Sequence, residues 1–144
     1  MVIVLGAVRV GLALLALSVI CTAVAVGTNG WRCGYLFKDS CTSNDQSVAV
    51  LGLLGSGAAC VFIVFVMDCF TLRSLSSLES PSFVTVRTLL ICLGFGAQLT
   101  GVLLYLIQYT KQDWSHFLAT CGAMLTANGV LMAFVTCNAV SCDC

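Results

Sequence analysis

The sequence has very few charged residues. Only 12 of its 144 residues are Asp, Glu, Lys or Arg, which is 8% of the chain, against roughly 25% in soluble domains. The six basic and six acidic residues also cancel, so the chain lacks the concentrated positive charge that binding to a phosphate backbone requires. A soluble domain is therefore excluded, and we expect no nucleic-acid partner.

Proline and histidine are almost absent as well, with one of each, Pro81 and His116. A single imidazole without a nearby cysteine or carboxylate pattern makes neither a metal site nor a catalytic triad. No series of carboxylates or histidines crosses the apolar stretches, which argues against a proton-coupled pump or transporter. We therefore expect a protein that is not an enzyme and needs no cofactor.

Apolar residues fill most of the chain, with 60% hydrophobic residues and a further 13 glycines. About 20 such residues cross a bilayer as a helix, and the sequence contains four stretches of that length. Short connections between them favour a left-handed four-helix bundle, so we predict an all-α membrane protein with a single domain over residues 1–144. The predicted spans are residues 2–26, 48–70, 86–109 and 116–137.

Small residues recur four positions apart in every span. Because lipid provides no hydrophobic drive between helices, close backbone approach must supply the packing contacts. We expect these small faces to meet inside the bundle, with an oligomer seam as the alternative. The sets are Ala7 with Gly11, Gly52 with Ser56, Gly55 with Ala59, Ala97 with Gly101, and Ala119 with Ala123 and Ala127.

Apart from Gln108 near the end of the third span, Gln98 and Asn128 are the only amides within the predicted spans, and polar groups in hydrocarbon need partners. Gln98 lies 11 residues before Tyr109, and Asn128 lies 12 residues after His116, on helices joined by a tight turn. In an antiparallel pair their depths agree within about 2 Å. The sequence therefore predicts an amide-to-amide hydrogen bond between them.

Orientation follows from the cysteines, because Lys and Arg are divided evenly between the two sides of the predicted bundle. Cys33 and Cys41 lie in the polar loop 27–47, which we place on the oxidising, extracellular side. Cysteines also cluster near the end of the chain, where a palmitoylated juxtamembrane tail would lie, although ordinary reduced thiols are an alternative. We expect a plasma-membrane protein with both termini in the cytoplasm. The candidate lipidation sites are Cys137, Cys142 and Cys144.

A redox enzyme is the alternative function. Membrane thiol-disulfide oxidoreductases of the vitamin K epoxide reductase type also have about four helices and a loop cysteine pair, which Cys33 and Cys41 mimic. The Cys-x-x-Cys active centre that such chemistry uses is missing. The other cysteines are scattered singly within the spans, where cysteine behaves as a small apolar residue.

The segment 27–41, GTNGWRCGYLFKDSC, contains a tryptophan followed by two cysteines directly after the first span. This pattern resembles the claudin superfamily, which includes the peripheral myelin and epithelial membrane proteins. Its members carry a tryptophan and two disulfide-bonded cysteines in the first extracellular loop. The resemblance implies a disulfide between Cys33 and Cys41 that braces a short loop. It also implies a role as an auxiliary subunit of a channel or receptor complex, or as an adhesion or junction component.

The braced loop is the expected binding surface, because aromatic and Arg side chains dominate binding hot spots. We expect the partner, besides the lipid bilayer, to be another membrane protein or a second copy of the chain. For the tryptophan, an anchor at the membrane interface is the alternative role. The candidate partner-binding residues are Trp31, Arg32, Tyr35 and Phe37.

Overall fold

The computed structural model describes residues 2–31, 45–73, 81–108 and 113–141. These residues form four helices, and each helix contains a stretch long and apolar enough to cross a membrane. Over these residues, the prediction of a helical fold with four helices long and apolar enough to span a membrane is therefore confirmed. The helices are α1 (Val2–Gly27), α2 (Asp45–Arg73), α3 (Pro81–Gln108) and α4 (Trp114–Ser141).

Three helices begin earlier than the predicted spans, α2 by three residues, α3 by five and α4 by two. Helix α3 begins at Pro81, where the sequence predicted a connection, and proline suits this position because its φ is preset and its missing N–H would be unpaired anyway. Helix α2 begins at Asp45, whose negative charge interacts favourably with the helix dipole. The predicted spans otherwise lie within the helices, except residue 109, which is outside the described residues.

The four helices pack as a ring. The most extensive contacts join α1 to α4 and α2 to α3, and the α3–α4 and α1–α2 contacts close the ring. Helices α1 and α3 therefore stand at opposite corners, as do α2 and α4. The side chains that point to the centre come from all four helices.

The interior has a polar layer between two apolar layers. In each of α1, α3 and α4, a buried polar residue lies between the residues that contribute to the two apolar clusters. The cluster at the loop end contains Ala25, Trp31, Val50, Leu54, Val102, Tyr105 and Ala119. The cluster at the opposite end contains Leu15, Val61, Val64, Ile91 and Ala133. The polar layer contains Ser18, Thr22, Gln98 and Thr126.

Glycines allow the closest approach between helices, but not all of the small residues that were predicted to face the bundle do so. A Cβ atom added to Gly57 would lie 2.9 Å from the carbonyl oxygen of Gly94, so α2 and α3 touch through their backbones here. The expectation for α2 itself was wrong, because nothing lies within 4 Å of a Cβ built on Gly52 or Gly55. Both of those glycines face outward, and so do Ser56 and Ala59. By contrast, Gly11, Gly101, Ala119 and Ala123 are buried as expected.

Candidate functional site

The polar layer is organised around Gln98, which is fully buried. Its Oε1 accepts a hydrogen bond from Thr126 Oγ1 at 2.9 Å, and its Nε2 donates to Thr22 Oγ1 at 3.5 Å. Ser18 Oγ lies 2.6 Å from Thr126 Oγ1 and donates to the Gly122 carbonyl at 2.8 Å. One amide therefore connects α3 to both α4 and α1 across the centre of the bundle.

The predicted bond between Gln98 and Asn128 is not formed. Asn128 is exposed on the outside of α4, and its Nδ2 donates to the Met124 carbonyl one turn earlier at 2.9 Å. The predicted depth along α4 was close, because Thr126, which does bond to Gln98, lies only two residues from Asn128. Two residues correspond to about 200° around a helix, so Thr126 faces the interior where Asn128 faces away.

The polar layer is internally satisfied. Among the described residues, every buried side-chain nitrogen and oxygen atom has a hydrogen-bond partner. A fully satisfied buried network fixes the relative positions of the elements it joins. The layer is therefore a structural junction between three helices.

Trp31 is buried inside the bundle, whereas the sequence predicted an exposed position in the first loop. The prediction that it is presented to a partner was wrong, because the side chain is only 3% exposed. Its Nε1 donates to the Ala25 carbonyl at 2.7 Å, and its ring meets Tyr105 edge to face, with the centroids 4.8 Å apart. The chain turns back after Gly27, so the indole satisfies a carbonyl that the end of α1 leaves without a helical partner.

Two more residues of the same segment hold it against α4. Thr28 Oγ1 lies 3.1 Å from the Ala25 carbonyl, to which it donates, and 2.9 Å from Ser115 Oγ. Gly30 lies against Ser115 and Trp114 so closely that any Cβ atom there would overlap both side chains. We call Thr28, Gly30 and Trp31 the loop anchor. It attaches the beginning of the first loop to the ends of α3 and α4.

Tyr105 connects the loop anchor to Asp113, the residue before α4. Its hydroxyl donates to Asp113 Oδ2 at 2.8 Å, and its ring stacks on His116 with the centroids 5.3 Å apart. His116 Nε2 lies 3.3 Å from the Val102 carbonyl, which only accepts, so Nε2 is the donor in this hydrogen bond. The single histidine is thus part of an aromatic packing unit that supports Trp31.

An ion pair joins α2 and α3 at the opposite end of the bundle. Arg87 donates from Nε to Asp68 Oδ1 at 2.5 Å and from Nη2 to Asp68 Oδ2 at 2.8 Å. The Asp68 side chain is 3% exposed and that of Arg87 is 13% exposed. The two-bond geometry neutralises both charges within an apolar surrounding. Sequence reasoning missed this pair, although a carboxylate and a guanidinium near facing span ends were the available signal.

The other predicted loop and tail residues lie outside the described residues. These are Arg32, Cys33, Tyr35, Phe37, Cys41, Cys142 and Cys144. Cys137 lies in α4, but its side chain is also outside the described part. The disulfide, the loop contacts and the lipidation therefore stay predictions. Within the described helices, Cys21, Cys60, Cys69, Cys92 and Cys121 are free, half-buried thiols.

The described residues form a four-helix fold that is compatible with a multi-pass membrane protein, and an aromatic unit around Trp31 closes its loop end. Comparison with protein-family models, with curated proteins and with solved structures found no match.

Proposed function

We propose that this chain is a non-enzymatic tetraspan protein of the plasma membrane, with cytoplasmic termini, that binds a membrane partner. Binding involves the first extracellular loop and the helices. The role is that of an auxiliary subunit of a channel or receptor complex, or of a claudin-like adhesion or junction component. The observation that carries the proposal is the loop anchor, which fixes where the loop leaves the bundle.

The loop anchor favours a binding function because it lowers the cost of ordering the loop. The segment 32–44 has 13 residues between Trp31, held by Ala25 and Tyr105, and the first residue of α2. A segment whose two ends are already attached loses less conformational freedom on binding than a free one. A disulfide between Cys33 and Cys41 would restrict the segment further. It would stabilise the folded chain by about 2 to 3 kcal/mol, because it lowers the entropy of the unfolded chain.

The burial of Trp31 changes which loop residues contact the partner. Because the indole is used inside the bundle, recognition falls to Arg32, Tyr35 and Phe37, which follow it in the sequence. Arg and Tyr are enriched in binding hot spots, and Phe is enriched at protein interfaces. Trp31 acts instead as the support that holds them near the membrane surface.

The test compares partner binding with stability for the same variants. Tyr35→Ala or Phe37→Ala should weaken partner binding roughly 30-fold, as expected for a hot-spot residue, while the thermal stability of the purified chain stays unchanged. The readout is recovery of the co-purifying membrane protein from mild detergent, with Ser40→Ala as the matched loop control. Full recovery with both aromatic variants would refute binding through the loop. Free Cys33 and Cys41 thiols that cycle with a disulfide substrate would favour the oxidoreductase alternative.

A further inference from the structure

We propose that two copies of this chain associate in the membrane through the outward face of α4, with Asn128 of each copy bonded to the partner's Asn128. This inference concerns a helix surface and does not depend on loop binding. It rests on an exposed amide, on a repeat of outward residues, and on the symmetry that a membrane imposes.

The first observation is the position of Asn128. It lies 14 residues after Trp114 and seven before Val135, the ends of a stretch apolar enough to cross a membrane. At 1.5 Å per residue these separations are about 21 Å and about 10 Å, so the exposed amide lies well inside the apolar stretch. Polar groups in hydrocarbon are costly unless they are paired, and they mark functional positions.

The second observation is that Asn128 is only partly satisfied. Its Nδ2 donates to the Met124 carbonyl, whereas its Oδ1 and second N–H have no hydrogen bond within the described residues. Two other outward polar residues differ in this respect. The hydroxyls of Ser56 and Thr100 each donate to a carbonyl of their own helix, at 3.2 Å and 2.7 Å. A carboxamide oxygen needs a donor from elsewhere, because the backbone N–H groups of a helix interior are already bonded.

The third observation is a regular row of residues through Asn128. Positions along the outward side of α4 alternate in steps of four and three, which is the repeat of the a and d positions in a coiled coil. All members are exposed except Cys121, which is half-buried. In this repeat Asn128 occupies an a position, where a single asparagine specifies register and oligomeric state. The row, which we call the α4 seam, is Phe117, Cys121, Met124, Asn128, Leu131 and Val135.

The occupant of the α4 seam follows from symmetry. Two copies inserted in the same orientation are related by a twofold axis along the membrane normal, so their α4 helices run parallel and each seam position meets itself. An amide is complementary to itself, because one Nδ2–H donates to the other Oδ1 and the reverse. A second copy therefore presents, at the required depth, the donor and acceptor that Asn128 lacks.

The first experiment measures association of the full chain in lipid vesicles by energy transfer between labelled copies at increasing lipid dilution. Asn128→Leu should raise the dissociation constant roughly 10-fold or more, and Asn128→Gln, which keeps the amide, should restore part of the association. Thr100→Val is the matched control, since it removes an outward polar group on α3 that is already satisfied. Gly55→Leu tests the outward small-residue face of α2 and should also leave association unchanged.

The second experiment uses Cys121, a free thiol one heptad before Asn128 in the α4 seam. Oxidation with copper phenanthroline should link two copies through this residue. Cys121→Ser should abolish the linked dimer, Cys92→Ser on α3 should not, and Asn128→Leu should lower the yield.

Three results would overturn the proposal: wild-type association in Asn128→Leu, equal loss in Thr100→Val, or a chain that stays monomeric at the highest protein-to-lipid ratio. A monomer that loses a different membrane protein when Asn128 is replaced would also refute the second copy as occupant. Tyr35→Ala should associate normally, so this proposal and loop binding fail separately.

Discussion

The Gln98 side chain joins three helices in the polar layer, because it lies on α3 and bonds to α4 and α1. Replacing it with leucine removes the bonds to Thr126 and Thr22 without a large change in volume. In a double-mutant cycle with Thr126→Val, we expect a coupling free energy of about 0.6 to 2 kcal/mol, the range for hydrogen bonds between membrane helices. Thermal unfolding in one detergent measures it.

The matched control for this cycle is Thr120→Val. The Thr120 hydroxyl donates only to the His116 carbonyl of its own helix, at 2.8 Å. Gln98→Leu and Thr120→Val should therefore be additive in free energy. Additivity of the Gln98 and Thr126 variants as well would contradict the geometry of the polar layer.

Gly57 and Gly55 provide a second comparison between single residues, two positions apart on α2. A Cβ on Gly57 would lie 2.7 Å from Gln98 Cγ and 2.9 Å from the Gly94 carbonyl oxygen, whereas one on Gly55 meets nothing within 4 Å. Gly57→Ala should lower the free energy of unfolding by about 1 to 3 kcal/mol through overpacking. Gly55→Ala should be neutral or slightly stabilising, because alanine favours a helix. Equal effects in a thermal unfolding assay would contradict the packing of α2 on α3.

At the scale of helices, the sequence predicts where a helix lies and how deep its residues are better than it predicts which side of the helix faces the bundle. The four spans follow from the length of the apolar runs, which depends only on composition. Rotation is harder, because the sides that face lipid and the sides that face the bundle are both apolar. Asn128 was expected to face the interior where Thr126 does, and Gly52 where Gly57 does. Both errors concern the rotation of a helix about its own axis. Only contacts with neighbouring helices decide which side of a helix faces inward.

The ion pair between Asp68 and Arg87 joins α2 and α3 through two hydrogen bonds. Arg87→Leu leaves a buried carboxylate without its partner and should destabilise the chain by about 3 to 5 kcal/mol. The double variant Asp68→Leu with Arg87→Leu should recover most of that loss, because two apolar side chains need no pairing. Unfolding by heat or denaturant measures both.

Arg9→Leu is the control for the ion pair, because Arg9 is exposed. Its replacement should change stability by much less than the loss of Arg87. If the double variant is no more stable than Arg87→Leu alone, the loss does not come from an unpaired buried carboxylate, and the prediction is refuted.

At the scale of the whole molecule, the sequence identifies the region of the candidate site and not its geometry. The tryptophan after the first span was recognisable, but its burial depends on Tyr105, which is 74 residues away in the sequence. The place where α3 ends relative to α1 is a tertiary property that no local pattern encodes. The pocket that receives Trp31 was therefore not predictable, whereas the importance of the residue was.

Trp31→Ala tests whether the loop anchor stabilises the whole bundle. Removing this buried side chain should cost about 3 to 5 kcal/mol of unfolding free energy, and thermal unfolding measures the change. Backbone amides of residues 28–31 should also exchange with solvent faster. Phe70→Ala, at an outward side chain that is 66% exposed, is the control and should change stability little. A stability loss no larger than that of Phe70→Ala would contradict the anchor.

The loop anchor also sets the order in which the protein matures during synthesis. Trp31 leaves the ribosome long before the residues that receive it, since Tyr105 follows 74 positions later. At a translation rate of about 5 to 20 residues per second, this interval is roughly 4 to 15 seconds. The indole stays unburied until α3 and the beginning of α4 have been inserted. Burial of Trp31 therefore comes only after the residues that receive it, up to the beginning of α4, have been synthesised.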